Sequence, residues 1–362
     1  MKQSTVFYLG ADIEGGDLLT AGHTELSSPA VCGKFVLRVR KHGSKANALD
    51  ILGVMLSQSF LCATLAMTTL ATGGLSQVTT VPKRPQIVGI AHIGLRTDDL
   101  DAARRFYGRQ LGYEEAFHLD KPEGGLMLIY FKVNDHQYIE VFPGWKGPEQ
   151  LVLSHIAFET DDAQQLRDYL ASKGVHVPET LRRNLDGNFT FMIKDPDGHD
   201  IEFVQYLPGS LHSRNFGKAL PATRVSGRII HVGTTASDRV AFDALYRDIL
   251  GFREFWHGGM TDDRTDWVDM RVPDGADWFE YMLNVKNPSL RTLGVMNHLA
   301  LGVPSVQEGY KTVMERGLNP AQGPKIGRDG KWQLNLYDPN LTRVELMEPA
   351  PVETPCCSPM LK

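Results

Sequence analysis

One pattern returns four times along this chain. An apolar stretch carries a single histidine, and 47 to 49 residues later another apolar stretch carries a single glutamate. The histidine stretches are IAHIGL (His92), LSHIAF (His155), IIHVGT (His231) and MNHLAL (His298). The glutamate stretches are YIEVF (Glu140), DIEFV (Glu202), WFEYM (Glu280) and RVELM (Glu345). Two residues after each histidine stands a small residue: Gly94, Ala157, Gly233 and Ala300. Five residues before each glutamate stands a turn former: Asp135, Asp197, Gly275 and Asn340.

Strand geometry gives the pattern a meaning. Residues two apart on a strand share a face, so each imidazole is expected to have an almost bare neighbour and room beside it for a group that is not protein. A glutamate inside a strand such as WFEYM is costly to bury unless it is paired or bound to a cation. Any one of the eight residues would read as a core histidine or a strand-edge glutamate. Four copies at near-constant spacing point to a metal site.

The residues between these strands repeat as well. In the first module Asp98 or Asp99 is placed to cap a helix with the apolar face Leu100, Ala103, Phe106, Tyr107 and Leu111, stopped by Gly112. The runs YEEAF, LMLIYFKV and YIEVF then read as strands. The second module repeats the order, with a helix through Leu166, Tyr169 and Leu170 and a turn at Asp195-Pro196-Asp197-Gly198. The third has Ser237 or Asp238 before a helix ended by Gly251, and the fourth a helix ended by Gly317. The expected fold is therefore α+β, with four β-α-β-β-β modules of roughly 65 residues. One module alone leaves an apolar sheet face open, so two must pair into a cup. The expected domains are 87–207 and 228–349, joined by a Gly/Pro-rich linker at 208–227 and followed by a flexible tail at 350–362.

Composition narrows the functions. The net charge is −5, and no basic run is interleaved with aromatics, so a nucleic-acid partner has no support. None of the four cysteines lies between residues 63 and 355, which removes thiol catalysis and thiolate metal sites from the repeats. Residues 1–50 read as a poorly ordered extension. The apolar stretch 51–76, preceded by Arg38, Arg40, Lys41 and Lys45, resembles a signal peptide but is too interrupted for a stable membrane span. Export to the periplasm or beyond is the favoured expectation, with cytoplasmic residence if that stretch is not a signal.

The repeated pattern resembles the vicinal oxygen chelate superfamily, which includes glyoxalase I, extradiol ring-cleaving dioxygenases and bleomycin-resistance proteins. The resemblance covers about residues 87–349. It implies two open-barrel domains, each with one divalent ion and no organic cofactor. The ligands it implies are His92, Glu140, His155 and Glu202 in one set, and His231, Glu280, His298 and Glu345 in the other. Such a set of nitrogen and oxygen donors suits Zn, Ni, Co, Mn or Fe(II). Two positions on the ion would stay open for a small molecule with vicinal oxygens.

Among the family's members the ligand intervals lie nearest to glyoxalase I. That likeness implies lyase or isomerase chemistry through an enediolate, with Glu202 or Glu345 as base. It also implies substrate contacts at Arg96 and Asn284, although Gly144 and Thr235 replace the matching partners in each half. A dioxygenase is the alternative, with His231, His298 and Glu345 as its ligands. The stretch KIGRDGKWQLNLYDPNLTRVE, where those enzymes have an acid–base histidine, contains none. A non-catalytic binding protein is the third reading. Whether modules pair within the chain or across a homodimer is left open.

Overall fold

In the computed structural model, which describes residues 82–147 and 150–361, the four repeats become two eight-stranded sheets. The expectations for 1–50 and 51–76 lie outside those residues. The first sheet contains β1 (Ile87–Thr97), β2 (Glu115–Asp120), β3 (Leu126–Lys132), β4 (Tyr138–Pro143), β5 (Leu153–Thr160), β6 (Arg182–Arg183), β7 (Phe189–Lys194) and β8 (Asp200–Gln205). Their order is β2-β3-β4-β1-β5-β8-β7-β6. The second sheet repeats it with β9 (Ile229–Thr235), β10 (Arg253–Gly258), β11 (Trp267–Arg271), β12 (Trp278–Met282), β13 (His298–Gly302), β14 (Lys325–Ile326), β15 (Trp332–Tyr337) and β16 (Arg343–Met347). Neighbouring modules thus pair within the chain, and each sheet curls into a half-barrel.

Pairing brings the histidine and glutamate strands side by side. In each sheet the two histidine strands, β1 with β5 and β9 with β13, run antiparallel at the centre. Each is flanked by its own glutamate strand in parallel. Alternation then sorts the faces. Ile93, Leu95, Ile139, Val141, Ile156 and Phe158 point outward into a core shared by both halves. His92, Glu140, His155 and Glu202 point into the cup.

The helix that follows each histidine strand packs on the outer core. Helix α1 (Leu100–Ala103) is capped by Asp99, whose side chain accepts from the Ala102 N–H, and it continues as π-helical turns over Arg104–Gln110. Helices α2 (Ala163–Ser172) and α3 (Leu211–Arg214) follow, and then α4 (Arg239–Asp243), capped by Asp238, continues as π-helical turns over Ala244–Ile249. Helices α5 (Leu290–Met296) and α6 (Val306–Glu315) complete the set. The wide turns were not legible in the apolar spacing. They bury the adjacent residues Phe106 with Tyr107 and Leu245 with Tyr246. Among the described residues no helix is long and apolar enough to cross a membrane.

Two segments differ from expectation. The stretch 208–227 is more than a spacer, because α3 within it buries His212 and Leu211 packs on the inner-face cluster of the first sheet. The tail, expected to be flexible over 350–362, is instead laid along the second half over its described residues 350–361. Val352 N–H donates to Gly330, Cys356 N–H to Arg328 and Leu361 N–H to Phe255, while Cys356 and Cys357 form a disulfide. Apolar side chains explain both, since Leu211, Cys356 and Met360 pack on inner-face aromatic clusters that would otherwise face water.

Candidate metal centres

The eight repeat residues converge as two clusters of four. In the first, His92 Nε2 lies 2.9 Å from His155 Nε2, 3.4 Å from Glu140 Oε1 and 3.3 Å from Glu202 Oε2. His155 Nε2 is 3.4 Å from Glu140 Oε2 and 3.3 Å from Glu202 Oε2. In the second, His231 Nε2 lies 3.0 Å from His298 Nε2, 3.8 Å from Glu280 Oε2 and 3.5 Å from Glu345 Oε2. His298 Nε2 is 2.9 Å from Glu280 Oε2.

These spacings suit a shared cation. Two imidazole nitrogens face each other among carboxylate oxygens, with Glu140, Glu202 and Glu345 buried and Glu280 partly so. An ion with bonds of roughly 2.1 Å holds neighbouring ligand atoms roughly 3 Å apart. The Nδ1–H of His298 donates to the Met296 carbonyl at 2.8 Å, which leaves its Nε2 lone pair facing the cluster. The donor set therefore fits a divalent first-row ion in both halves.

Without an ion the two clusters hold protons differently. Burial opposes charging His92, but the carboxylates of Glu140 and Glu202 outweigh it and raise the ring to about 9. Burial also opposes ionisation of Glu202, and hydrogen bonding to His92 reverses the sign, leaving that carboxyl below its ordinary value. In the second cluster burial dominates, and with the charges of His298, Lys331 and Arg343 it pushes His231 well below the ordinary value.

The small residues beside the histidines have a different purpose from the one expected. Gly94 is directly across from His155 on one side and Glu140 on the other, and Gly233 from His298 and Glu280. The space is filled by the partner histidine. A Cβ at Gly94 would collide with the His155 ring, and one at Gly233 with the His298 ring. Gly233→Ala is therefore expected to lose the second-half ion and keep the first, as read by metal content. Unchanged content would show that the rings need not lie so close.

The two cups are filled differently. Over the first cluster sits His212, 3% exposed, with the rings of Tyr138, Tyr206, Phe117 and Tyr130 centred 4.6, 4.7, 4.9 and 5.4 Å away. The Leu207 N–H fixes the Asn188 amide by donating to its Oδ1, so Asn188 Nδ2 donates to His212 Nδ1 at 2.8 Å. The His212 proton is then on Nε2, which has no protein partner. Burial, helped by His92 and Lys132, lowers this ring to about 3 and keeps it neutral. The second cluster instead opens on a cavity of about 290 Å³, walled by Trp256, Trp267 and Trp278, with His231, Glu280 and Glu345 on its surface.

Both residues expected to touch substrate make internal bonds. Arg96 Nη1 donates to the carbonyls of Leu151 and Leu153, each at 2.9 Å. Asn284, at φ 63°, donates through Nδ2 to the Thr265 carbonyl and to Asp266. Each holds a loop in place. Lys331, Arg343, Asp269 and His212 were not singled out from the sequence, although alignment of the two halves on their last glutamates marks the first two as positions where the repeats differ.

Comparison with known proteins agrees with this geometry. Residues 89–203 match the Glyoxalase/Bleomycin resistance protein/Dioxygenase superfamily. Over 128 residues the chain is 30% identical to a lactoylglutathione lyase of Neisseria meningitidis serogroup A, which spans 33% of this chain and 92% of that protein. The chain belongs to the glyoxalase/bleomycin resistance/dioxygenase superfamily. Another member, the biphenyl-2,3-diol 1,2-dioxygenase of Sphingomonas paucimobilis, is 33% identical over 122 residues, 32% of this chain and 40% of that one. Among solved structures of the superfamily, a Mn(II)-bound glyoxalase from Novosphingobium aromaticivorans shares the fold with a TM-score of 0.57 at 17% identity, covering 73% of this chain and 83% of that one. Superfamily members use a divalent metal, and both clusters present the His and Glu donors for one.

Proposed function

We propose that this chain is a metal-dependent lyase or isomerase of the glyoxalase type, with its chemistry in the second half. The observation that carries this reading is a four-donor His/Glu cluster opening on a cavity of about 290 Å³ in that half. A divalent ion held by His231, Glu280, His298 and Glu345 would supply Lewis-acid polarisation of two vicinal substrate oxygens. Glu345 is the base: it removes a proton from the carbon beside the carbonyl and returns it to the neighbouring carbon. Arg343 Nη1 holds Glu345 Oε1 at 3.2 Å, which fixes the carboxylate as charge moves. Asp269 lies across from Glu280, and burial, then the Glu280 charge, raises its carboxyl well above the ordinary value.

Ring cleavage of a catechol is the second reading, favoured by the identity to the biphenyl-diol dioxygenase. The cavity lining includes no tyrosine and no histidine besides His231, which supports proton transfer instead. The test is deuterium incorporation from D2O into α-hydroxy ketones and thiol adducts of α-keto aldehydes, with the chain loaded with Ni, Co, Zn or Mn. Metal-dependent exchange is expected. A fully loaded chain that exchanges nothing on that panel would overturn the proposal, and oxygen uptake with catechols would favour the second reading.

A further inference from the structure

The two halves align without a gap from Asp186 to Glu202 and from Asp329 to Glu345. Within that span the first half has Asn188, Met192 and Asp200 where the second has Lys331, Asn335 and Arg343. Two residues before the neighbouring glutamate, Tyr138 is matched by Trp278. The first half thus keeps the metal donors and lacks this group.

Three of these second-half residues carry a buried polar atom with no partner, Asn335 Oδ1, Arg343 Nε and Trp278 Nε1, and the fourth, Lys331, is buried with Asp329 as its ion-pair partner. Native proteins rarely leave so many buried groups unpaired at one place unless something else completes them. Asn335, Arg343 and Trp278 line the cavity. Lys331 is 2% exposed, and its Nζ lies 4.6 Å from the Trp278 ring centroid and 3.2 Å from Asp329 Oδ2. Both basic groups are close enough to act on Glu280. Beside these donors stand the flat apolar faces of Trp256, Trp267 and Trp278.

We propose that the second-half cavity takes a substrate with a carboxylate on a planar apolar body, the carboxylate being bound by Arg343, Lys331 and the Trp278 indole N–H. This group is separate from the vicinal oxygens, and the inference rests on the reading of the second half as the metal-dependent site. Guanidinium and ammonium bind carboxylates through charge-assisted hydrogen bonds, strongest where water is excluded. The tryptophan faces accept a ring by stacking.

The test uses benzohydroxamate, whose adjacent oxygens chelate any of these ions, and its 3- and 4-carboxy derivatives. Each is titrated calorimetrically into the full chain loaded with Co(II), with metal content measured on the same sample. One carboxy derivative is expected to bind at least about tenfold more tightly than benzohydroxamate. Arg343→Gln and Lys331→Met, tested separately, should each cut that ratio several-fold, whatever they do to the affinities themselves. A chain that holds metal and binds all three alike overturns the carboxylate inference alone. A ratio that survives in both variants also overturns it. A chain that retains no metal overturns this inference together with the catalytic reading beneath it.

Discussion

Glu345→Gln is expected to slow metal-dependent proton exchange by roughly 10³-fold, the scale of a lost general base. The amide keeps an oxygen toward the ion but has no basic lone pair for the substrate proton. The same substitution at Glu202, the matching residue of the first half, is expected to cost less than about tenfold. The difference comes from what lies over each cluster. Glu202 faces a cup closed by His212 and four aromatic rings, whereas Glu345 faces the open cavity. Metal content measured on both variants separates loss of the base from loss of the ion. If Glu202→Gln caused the larger loss at full metal content, the chemistry would belong to the first half and the role of the linker helix would be misread.

The second large effect concerns the metal-free chain and pH. His92 rises from 6.5 to about 9 because Glu140 and Glu202 outweigh the burial that opposes its charge. A group whose value is raised on folding stabilises the fold fully below its unfolded value, and that stability is lost as pH climbs through the folded value. The metal-free chain is therefore expected to lose about 3 kcal/mol between pH 6.5 and 9.5. His231 contributes with the opposite sign: its ring is pushed down, so its penalty is felt below pH 6.5 and leaves this window clear. Urea unfolding of chelator-treated protein across the window measures the loss. Glu140→Gln should flatten it, as should a divalent ion that takes the proton's place. A flat profile in the unaltered metal-free chain would contradict the first cluster as described.

Much of this was legible in the order of residues because sheets impose a strict period. Histidine and glutamate at fixed spacing, each in an apolar run, are enough to place both on one face of neighbouring strands, and all eight meet as that period requires. What failed was the meaning of an inward-facing gap. Spacing along one strand makes Gly94 and Gly233 room for a ligand, but cross-strand register puts the partner histidine there. Register between distant strands is a tertiary fact that spacing along one strand does not contain. The same limit hid His212, brought into the first cup by a segment that reads as a polar spacer. Arg96 and Asn284 have the right residue type at matching positions, and only the surrounding carbonyls show that they hold loops. Apolar stripes mark where the helices lie, but they carry no sign of the π-helical widening at Arg104–Gln110 and Ala244–Ile249.

The chemistry inferred for this chain depends on each cluster holding a divalent ion. Elemental analysis of protein purified without added metal, and again after loading and desalting, measures that directly. The predicted result is two ions per loaded chain, falling to one in His92→Ala/His155→Ala and to one in His231→Ala/His298→Ala. A chain that holds no ion after loading, or whose content is indifferent to both double variants, would contradict it.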